Sequence, residues 1–557
     1  MRVPTRLAAR LRPPLDALRQ VAANPGLLRL ELGSLAFGAA DLMYVVGLAV
    51  LAYEAGGTAA VALLAIIRAL PSVVLVPMLL AATDTIPRDR LLRLVVATRV
   101  ACLVVATALV IGDAFLFAIY LLAGIDAVAG GLLRPLRATL TPALARSAEE
   151  LVAANAVTTT GDALGAILGP GGAALILVAG DVPAALVAGT IVMIVALGVV
   201  FPIKAAPDIS ARTPRRTGED TRQADEGSVL QSVRALLAMP YARLIVLLFA
   251  GQRFVRGVLN VALVAAAFDL LRIGDSGVGV LTSAIGVGGL VGGAVALGLV
   301  GRARLAPAFA AGLIAWGGGI LASGVVPNLV FVVVALAIAG IGKTALDTAG
   351  FTLLQRTVPN DRRSNVFGLL EAAIAAALAA GPVAAAVLVD SIGAGWTLIV
   401  AGALPIVLVV LTWPVLRMAD DASVVPQPAL RLLTGVAMFR PLQLTTLETL
   451  AGQMILRDAP AGSDVIRQGE QGDRFYIVET GRLATLIDGT AINELGPGDS
   501  FGEIALLHST ARTATVTALE DSRLVELASE PFLAAVASSG DSAAAAAAVV
   551  TARLASA

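Results

Sequence analysis

The chain has 557 residues, 58% of them hydrophobic and 14% charged, with a mean hydropathy of +0.88. That profile excludes an ordinary water-soluble globule of this length. Basic and acidic residues balance at 40 each, so no global positive field points to nucleic acid. A single cysteine, Cys102, and a single histidine, His508, exclude an intramolecular disulfide and a Cys/His zinc site, and no metal centre is expected.

Residues 1–29 carry Arg2, Arg6, Arg10, Arg12 and Arg19, without a short apolar stretch ending in a small-residue cleavage site. A basic cytosolic segment is expected there rather than a signal peptide. A membrane-crossing helix needs about 20 apolar residues, and about twelve such runs follow. They cover 30–53, 59–82, 91–112, 115–136, 152–177, 182–203, 242–266, 277–300, 307–326, 329–350, 366–389 and 394–416. Arginines concentrate at every second connection: Arg88, Arg90 and Arg93, then Arg134, Arg137 and Arg146, then Arg302 and Arg304, then Arg356, Arg362 and Arg363. The intervening short loops carry Glu54, Asp113, Asp181 and Asp390. Basic loops are retained in the cytoplasm, so an even number of spans in the cell membrane predicts cytoplasmic N- and C-termini.

Residues 204–241 form a polar, charged linker too poor in apolar residues to bury a core. The linker separates a six-helix bundle over 30–203 from a second over 242–416. The halves echo one another, because Gly169-Pro170 in the fifth span matches Gly381-Pro382 in the eleventh. A weak parallel repeat of this kind is expected of a two-bundle transporter.

Residues 28–417 resemble the major facilitator superfamily. Asp84, Arg88 and Arg90 look like a degenerate form of its loop signature GxxxDxxGRR, with Leu80 and Pro87 at the glycine positions, and this set is the expected conformational-loop motif. Gly161, Gly165 and Gly169 to Gly172 resemble the glycine-proline motif associated with exporters in that family. Ionisable residues at membrane depth cost roughly 2.5–3.5 kcal/mol on insertion scales, so each is a functional candidate. Asp41, Asp126, Asp162 and Arg253 fall near mid-bilayer, with Arg68, Arg99, Arg256 and Glu371 off-centre. Asp41, Asp126, Asp162, Arg253 and Glu371 are the transport candidates, and Asp41 and Asp126 the first choice for proton coupling. The competing reading pairs these carboxylates permanently with Arg68, Arg99 or Arg253. Lys343 and Asp347, four apart on a helix, are expected to neutralise each other.

After a connector over 417–430, soluble periodicities begin in a domain expected over 431–557. Residues 429–455 have helical spacing with a break at Phe439-Arg440-Pro441. From 464 the period becomes two, with short strands around Val465-Ile466, Arg474 to Val478 and Leu483 to Ile487. Asp488-Gly489 is a strong hairpin signal, and Gly496-Pro497-Gly498-Asp499 another turn. Many short strands with regular turns predict a small roll.

The segment FGEIALLHSTARTATV over 501–516 combines a glycine-led turn, a carboxylate at Glu503 and a planar fork at Arg512. A fork of that kind suits a phosphate, a carboxylate suits a sugar hydroxyl, and one ligand with both groups is a nucleotide. With VIRQGEQGDRFYIVETGRL ahead of it, the segment resembles the cyclic nucleotide-binding domain family over 437–535. The resemblance implies that Glu503 binds the ribose 2′-hydroxyl and that Arg512, with amides near Ala505, binds the cyclic phosphate. The implied set is Gly502, Glu503, Ile504, Ala505, Arg512 and Thr513. Thr513 stands where the family often has Ala, Ser or Thr, and cAMP is favoured over cGMP. The alanine-rich tail, SSGDSAAAAAAVVTARLASA, is expected to form a helical lid over the base.

The expected fold is a twelve-helix all-α bundle of six plus six spans, followed by a cytosolic β-roll or jelly-roll cyclic nucleotide-binding domain with flanking helices. The expected function is an exporter-type, proton-coupled secondary transporter of an unknown small molecule, regulated by cAMP. A lipid flippase or membrane receptor gated by the nucleotide is the alternative, and export of the nucleotide itself a third. No enzyme motif such as a Walker loop or a GxSxG elbow is present, and no cofactor or nucleic-acid partner is expected.

Overall fold

The computed structural model describes residues 19–83, 86–113, 115–204, 233–234, 236–298, 304–358, 362–423, 427–442 and 444–555. Most of the linker over 204–241, part of the connector over 417–430, most of the N-terminal segment and Asp84 lie outside the described residues. Contacts divide the chain into two compact units, Met1–Ala422 and Ser423–Ala557.

Among the described residues, ten helices of the first unit are long and apolar enough to cross a membrane. They are α1 (Pro25–Ala82), α2 (Arg88–Ile111), α3 (Leu116–Leu144), α4 (Ala148–Ala179), α5 (Val182–Val200), α6 (Pro240–Ala265), α7 (Asp275–Leu297), α8 (Ala306–Val325), α9 (Leu329–Thr357) and α10 (Arg363–Ser423). Two of them, with 58 and 61 residues, run to roughly 90 Å at ~1.5 Å per residue, about twice what one crossing needs. Each is broken where glycine leaves helical geometry, α1 at Gly56 and Gly57 and α10 at Gly393. The protein is thus a multi-pass membrane protein, and two broken helices of this length make the ten roughly consistent with the twelve spans expected from sequence.

The glycine-proline echo has a structural counterpart. A Cβ at Gly169 of α4 would lie 2.5 Å from the Ala39 carbonyl oxygen of α1, and one at Gly381 of α10 would lie 2.5 Å from the Phe254 carbonyl oxygen of α6. Only glycine allows either approach, and the two contacts fall beside Asp41 and Arg253 respectively. The two halves pack along α4 and α7, where Ser283 donates to the Ile167 carbonyl at 3.4 Å and a Cβ at Gly286 would lie 2.5 Å from the Ala166 carbonyl oxygen. They also meet through Tyr53 donating to Asp269 at 2.6 Å, Thr58 donating to Asp390 at 2.6 Å and the Tyr53–Phe268 ring stack at 4.6 Å.

The second unit begins with helices α11 (Gln427–Gly435) and α12 (Leu444–Gln453), separated by a short 3-10 turn at Ala437–Phe439. Eight strands follow: β1 (Ile455–Ala459), β2 (Asp464–Ile466), β3 (Arg474–Thr480), β4 (Leu483–Ile487), β5 (Thr490–Leu495), β6 (Ser500–Phe501), β7 (Thr515–Ala518) and β8 (Ser522–Ala528). They form two four-stranded antiparallel sheets, β1-β8-β3-β6 and β2-β7-β4-β5. Asp488 and Gly489, with φ of 50° and 78°, close the β4–β5 hairpin, the geometry a two-residue primed turn demands. Helices α13 (Glu503–His508), α14 (Ser529–Ala537) and α15 (Gly540–Ala555) complete the unit. Phe439, Phe475 and Phe532, all wholly buried, form its aromatic core. The end of one element departs from the sequence reading: Ile455, the last residue of the expected helical stretch, opens strand β1, because all five residues of Ile455–Ala459 pair with β8.

Candidate functional site

In the second unit a cavity of about 360 Å³ opens between β4, β5, α13 and the loop from Arg512 to Ala514. Gly502 turns the chain into it with φ of 91°, and a Cβ there would come within 2.7 Å of the Arg512 guanidinium, so both backbone and space demand glycine. Glu503 is the first residue of α13 and is wholly buried. Arg512, 4% exposed, donates from Nη1 to the Gly502 carbonyl at 2.8 Å and from Nη2 to the Arg474 carbonyl at 2.7 Å. Its guanidinium lies 6.0 Å from the Tyr476 ring centroid. Burial pulls the Arg512 guanidinium below its usual value, while nearby Tyr476, Asp473, Glu503 and Glu470 oppose that shift. No carboxylate forms an ion pair with Arg512 within the described residues, so two carbonyl dipoles orient the charge without cancelling it.

Ile504, Ala505 and Thr513 also line this cavity, with Thr513 exposed. All six residues expected from sequence are therefore brought together. A seventh, Arg553 of α15, was not anticipated. It donates from Nη1 to Glu503 Oε1 at 2.5 Å and from Nη2 to the Ser500 carbonyl at 2.6 Å. Glu503 lines the cavity, and its Oε2 stays buried without a partner. The tail helix is anchored by Ser542 donating to the Met438 carbonyl at 2.6 Å, which explains how a residue 50 positions away reaches Glu503. Arg553 is the one basic residue in that tail, and this was the only sequence signal available for it. The exposed His508 is the last residue of α13 and does not line the cavity.

In the first unit, Asp41, Arg68, Arg99 and Asp126 form a closed network. Arg99 donates from Nε to Asp126 at 2.8 Å and from Nη2 to Asp41 at 2.5 Å, while Arg68 reaches Asp41 at 3.2 Å and Asp126 at 3.5 Å. The ion-paired reading of Asp41 and Asp126 thus describes the observed geometry, with Arg68 and Arg99 as partners and not Arg253. Asp162 is held by Arg137 in a two-pronged pair at 2.7 and 2.9 Å. Arg253 reaches Asp347 at 3.3 Å, and Lys343 reaches the same carboxylate at 2.9 Å. Sequence spacing anticipated the second contact but not the first, which joins α6 to α9. Glu371 is exposed on α10, so it does not join the buried charges. Of the loop motif, Arg88 lines a small cleft with Leu80 and Pro135, and Arg90 is exposed.

The Cyclic nucleotide-binding domain profile matches residues 456–539, and the Major Facilitator Superfamily profile matches residues 245–458. Similar curated proteins include the cAMP-dependent protein kinase regulatory subunits of Debaryomyces hansenii, 36% identical over 84 residues, and Yarrowia lipolytica, 48% identical over 60 residues. These alignments cover 15% and 11% of this chain, and 19% and 16% of the relatives, so the chain spans less than a fifth of their length. Among solved structures, a regulatory domain of Toxoplasma gondii PKA co-crystallised with cAMP is 37% identical, covering 19% of this chain and 43% of that one with a TM-score of 0.19. The chain joins a Major Facilitator Superfamily domain to a cyclic nucleotide-binding domain in one polypeptide.

Proposed function

We propose that the protein is a secondary transporter whose alternating access is set by a cyclic nucleotide, cAMP in preference to cGMP. The observation that carries this reading is the polarity of the pocket in the second unit. Arg512 offers an uncancelled positive charge, and Glu503 offers one free, buried carboxylate oxygen beside it. A cyclic phosphate satisfies the first, and the ribose 2′-hydroxyl attached to the same ring satisfies the second. Ile487, Ile492 and Leu495 supply an apolar wall suited to a base. Likeness to kinase regulatory subunits named for cAMP favours adenine. Arg553 neutralises Glu503 through one oxygen and leaves the other for the sugar, so the tail helix shapes the site.

In the first unit we assign proton exchange to Asp41, whose side chain is 32% exposed, and a holding role to Asp126, only 1% exposed behind it. A carboxylate gains a proton only when its arginine lets go, so the cycle would alternate Asp41 between Arg68/Arg99 and solvent. We place both termini in the cytoplasm on the arginine bias of alternate loops, and assign the direction as export. Regulation requires that the nucleotide bind one transport state more tightly, and a coupling of about 1–3 kcal/mol changes state ratios about 5- to 150-fold.

Proteoliposomes test this. cAMP should change the flux of a second solute without itself crossing, and Arg512→Ala should weaken cAMP binding about 10- to 150-fold, the loss of a charge-assisted contact, while sparing basal flux. Unchanged cAMP affinity in Arg512→Ala would sink the site assignment, and a nucleotide-insensitive flux would sink the regulation.

A further inference from the structure

A second cavity, of about 460 Å³, lies among α1, α2, α3 and α4 in the first unit. Four arginines border it, Arg68, Arg99, Arg134 and Arg137, against two carboxylates, Asp41 and Asp162. A guanidinium carries five N–H donors and no acceptor, so four of them outnumber what two carboxylates can accept. Asp126 takes part of the Arg99 and Arg68 forks from behind, and Asp162 takes two donors of Arg137. Arg134 has neither a hydrogen bond nor an ion pair from its side chain among the described residues. The wall is rich in donors and poor in acceptors, with Leu30, Phe37, Leu92 and Leu133 between the charges. The second six spans repeat the bias. Arg253 and Lys343 share one carboxylate, Asp347, and the wholly buried Gln252 has both amide atoms unpartnered.

Building on the transporter reading above, we propose that this cavity takes its ligand by an oxyanionic group, a phosphate or carboxylate, seated on the Arg68, Arg134 and Arg137 forks. A neutral solute would leave the excess donors unmet, and a cation would meet four arginines against two carboxylates. The partly exposed carboxylates of Asp41 and Asp162, at 32% and 48%, are the counter-ions an incoming oxyanion exchanges with, while Asp126 at 1% stays paired to Arg99. The apolar residues between the arginines accept the non-ionic part of the ligand. Cavity volumes of about 300–1,000 Å³ suit small organic molecules, so size does not restrict the ligand to an inorganic ion. A soluble organic acid and an anionic lipid headgroup share this chemistry.

The full chain in neutral detergent is titrated with glycerol 3-phosphate, succinate, glycerol and choline, and is also placed in phosphatidylglycerol or phosphatidylcholine nanodiscs. Unfolding is read by tryptophan fluorescence, because Trp316, Trp396 and Trp413 all lie in the first unit. A rise in Tm with an anionic probe or with phosphatidylglycerol supports the proposal, provided that Arg134→Gln weakens the apparent affinity about tenfold, as losing one charged contact should. Which arm responds, soluble or lipid, names the source. Arg137→Gln combined with Asp162→Asn removes a fork without stranding a carboxylate and should weaken binding at least as much. Equal shifts with glycerol or choline, no shift with any anionic probe, or anionic shifts untouched in both variants overturn it. Binding here needs no translocation. Anion binding without flux would therefore sink the transporter reading alone, and flux without anion preference would sink this proposal alone.

Discussion

Arg512 in the roll and Arg99 in the bundle are both buried guanidiniums, 4% and 2% exposed, and they are held in opposite ways. Arg512 spends its fork on the carbonyls of Gly502 and Arg474, partial charges that fix its direction and leave its full charge facing a cavity. Arg99 spends its fork on Asp126 and Asp41, full charges that neutralise it. The same residue type is therefore a ready anion receptor in one unit and a structural hub in the other. What separates them is whether the partner is a dipole or a counter-ion, since only a counter-ion has to be displaced before a ligand can bind.

The sharpest way to break this comparison is to remove the hub. Arg99→Leu strands the Asp126 carboxylate at 1% exposure with only the longer 3.5 Å Arg68 contact left. Loss of a partner from a buried pair costs about 3–5 kcal/mol, so a large fall in Tm and in recovery of monodisperse protein is expected. Arg99→Leu with Asp126→Leu should regain most of it. If the single variant is as stable as the double, the network is not a hub.

A smaller effect is expected at Arg553, 34% exposed against a wholly buried Glu503. Arg553→Ala should destabilise the roll by about 1–3 kcal/mol, less than a fully buried pair because solvent screens the arginine. Calorimetry should also show about tenfold weaker cAMP binding, since Glu503 loses the contact that orients it. Tighter binding would mean instead that Arg553 obstructs the sugar. Least affected is Thr513→Ala, which should change the ratio of cAMP to cGMP affinity by only a few-fold, the worth of one neutral hydrogen bond at about 0.5–1.5 kcal/mol. An unchanged ratio would remove Thr513 as a selectivity element.

Most of the roll was legible because its signals are local. Asp488-Gly489 needs only its own two dihedrals to specify a hairpin, and Gly502 to Thr513 gather around one cavity within a dozen positions. The helical reading of Ile455 was wrong for the converse reason: its strand partner, Glu526, lies far along the chain, and pairing overrode the local pattern. Glu371 shows the same limit in the bundle. Its place in an apolar span marked it as costly, but only the packing of α10 shows that it is exposed and lines neither cavity.

The sequence by itself determined the number of crossings, the two-fold echo of the bundles and the identity of six cavity residues, because hydropathy, glycine and turn chemistry act over a few residues. Tertiary structure decided the pairings: Arg553 with Glu503, Arg137 with Asp162, Arg253 with Asp347, and Arg68 and Arg99 with two aspartates each. Charge pairing depends on distance through space, and in a low-dielectric interior a few ångströms decide which of several carboxylates an arginine meets. No periodicity in the chain encodes that distance.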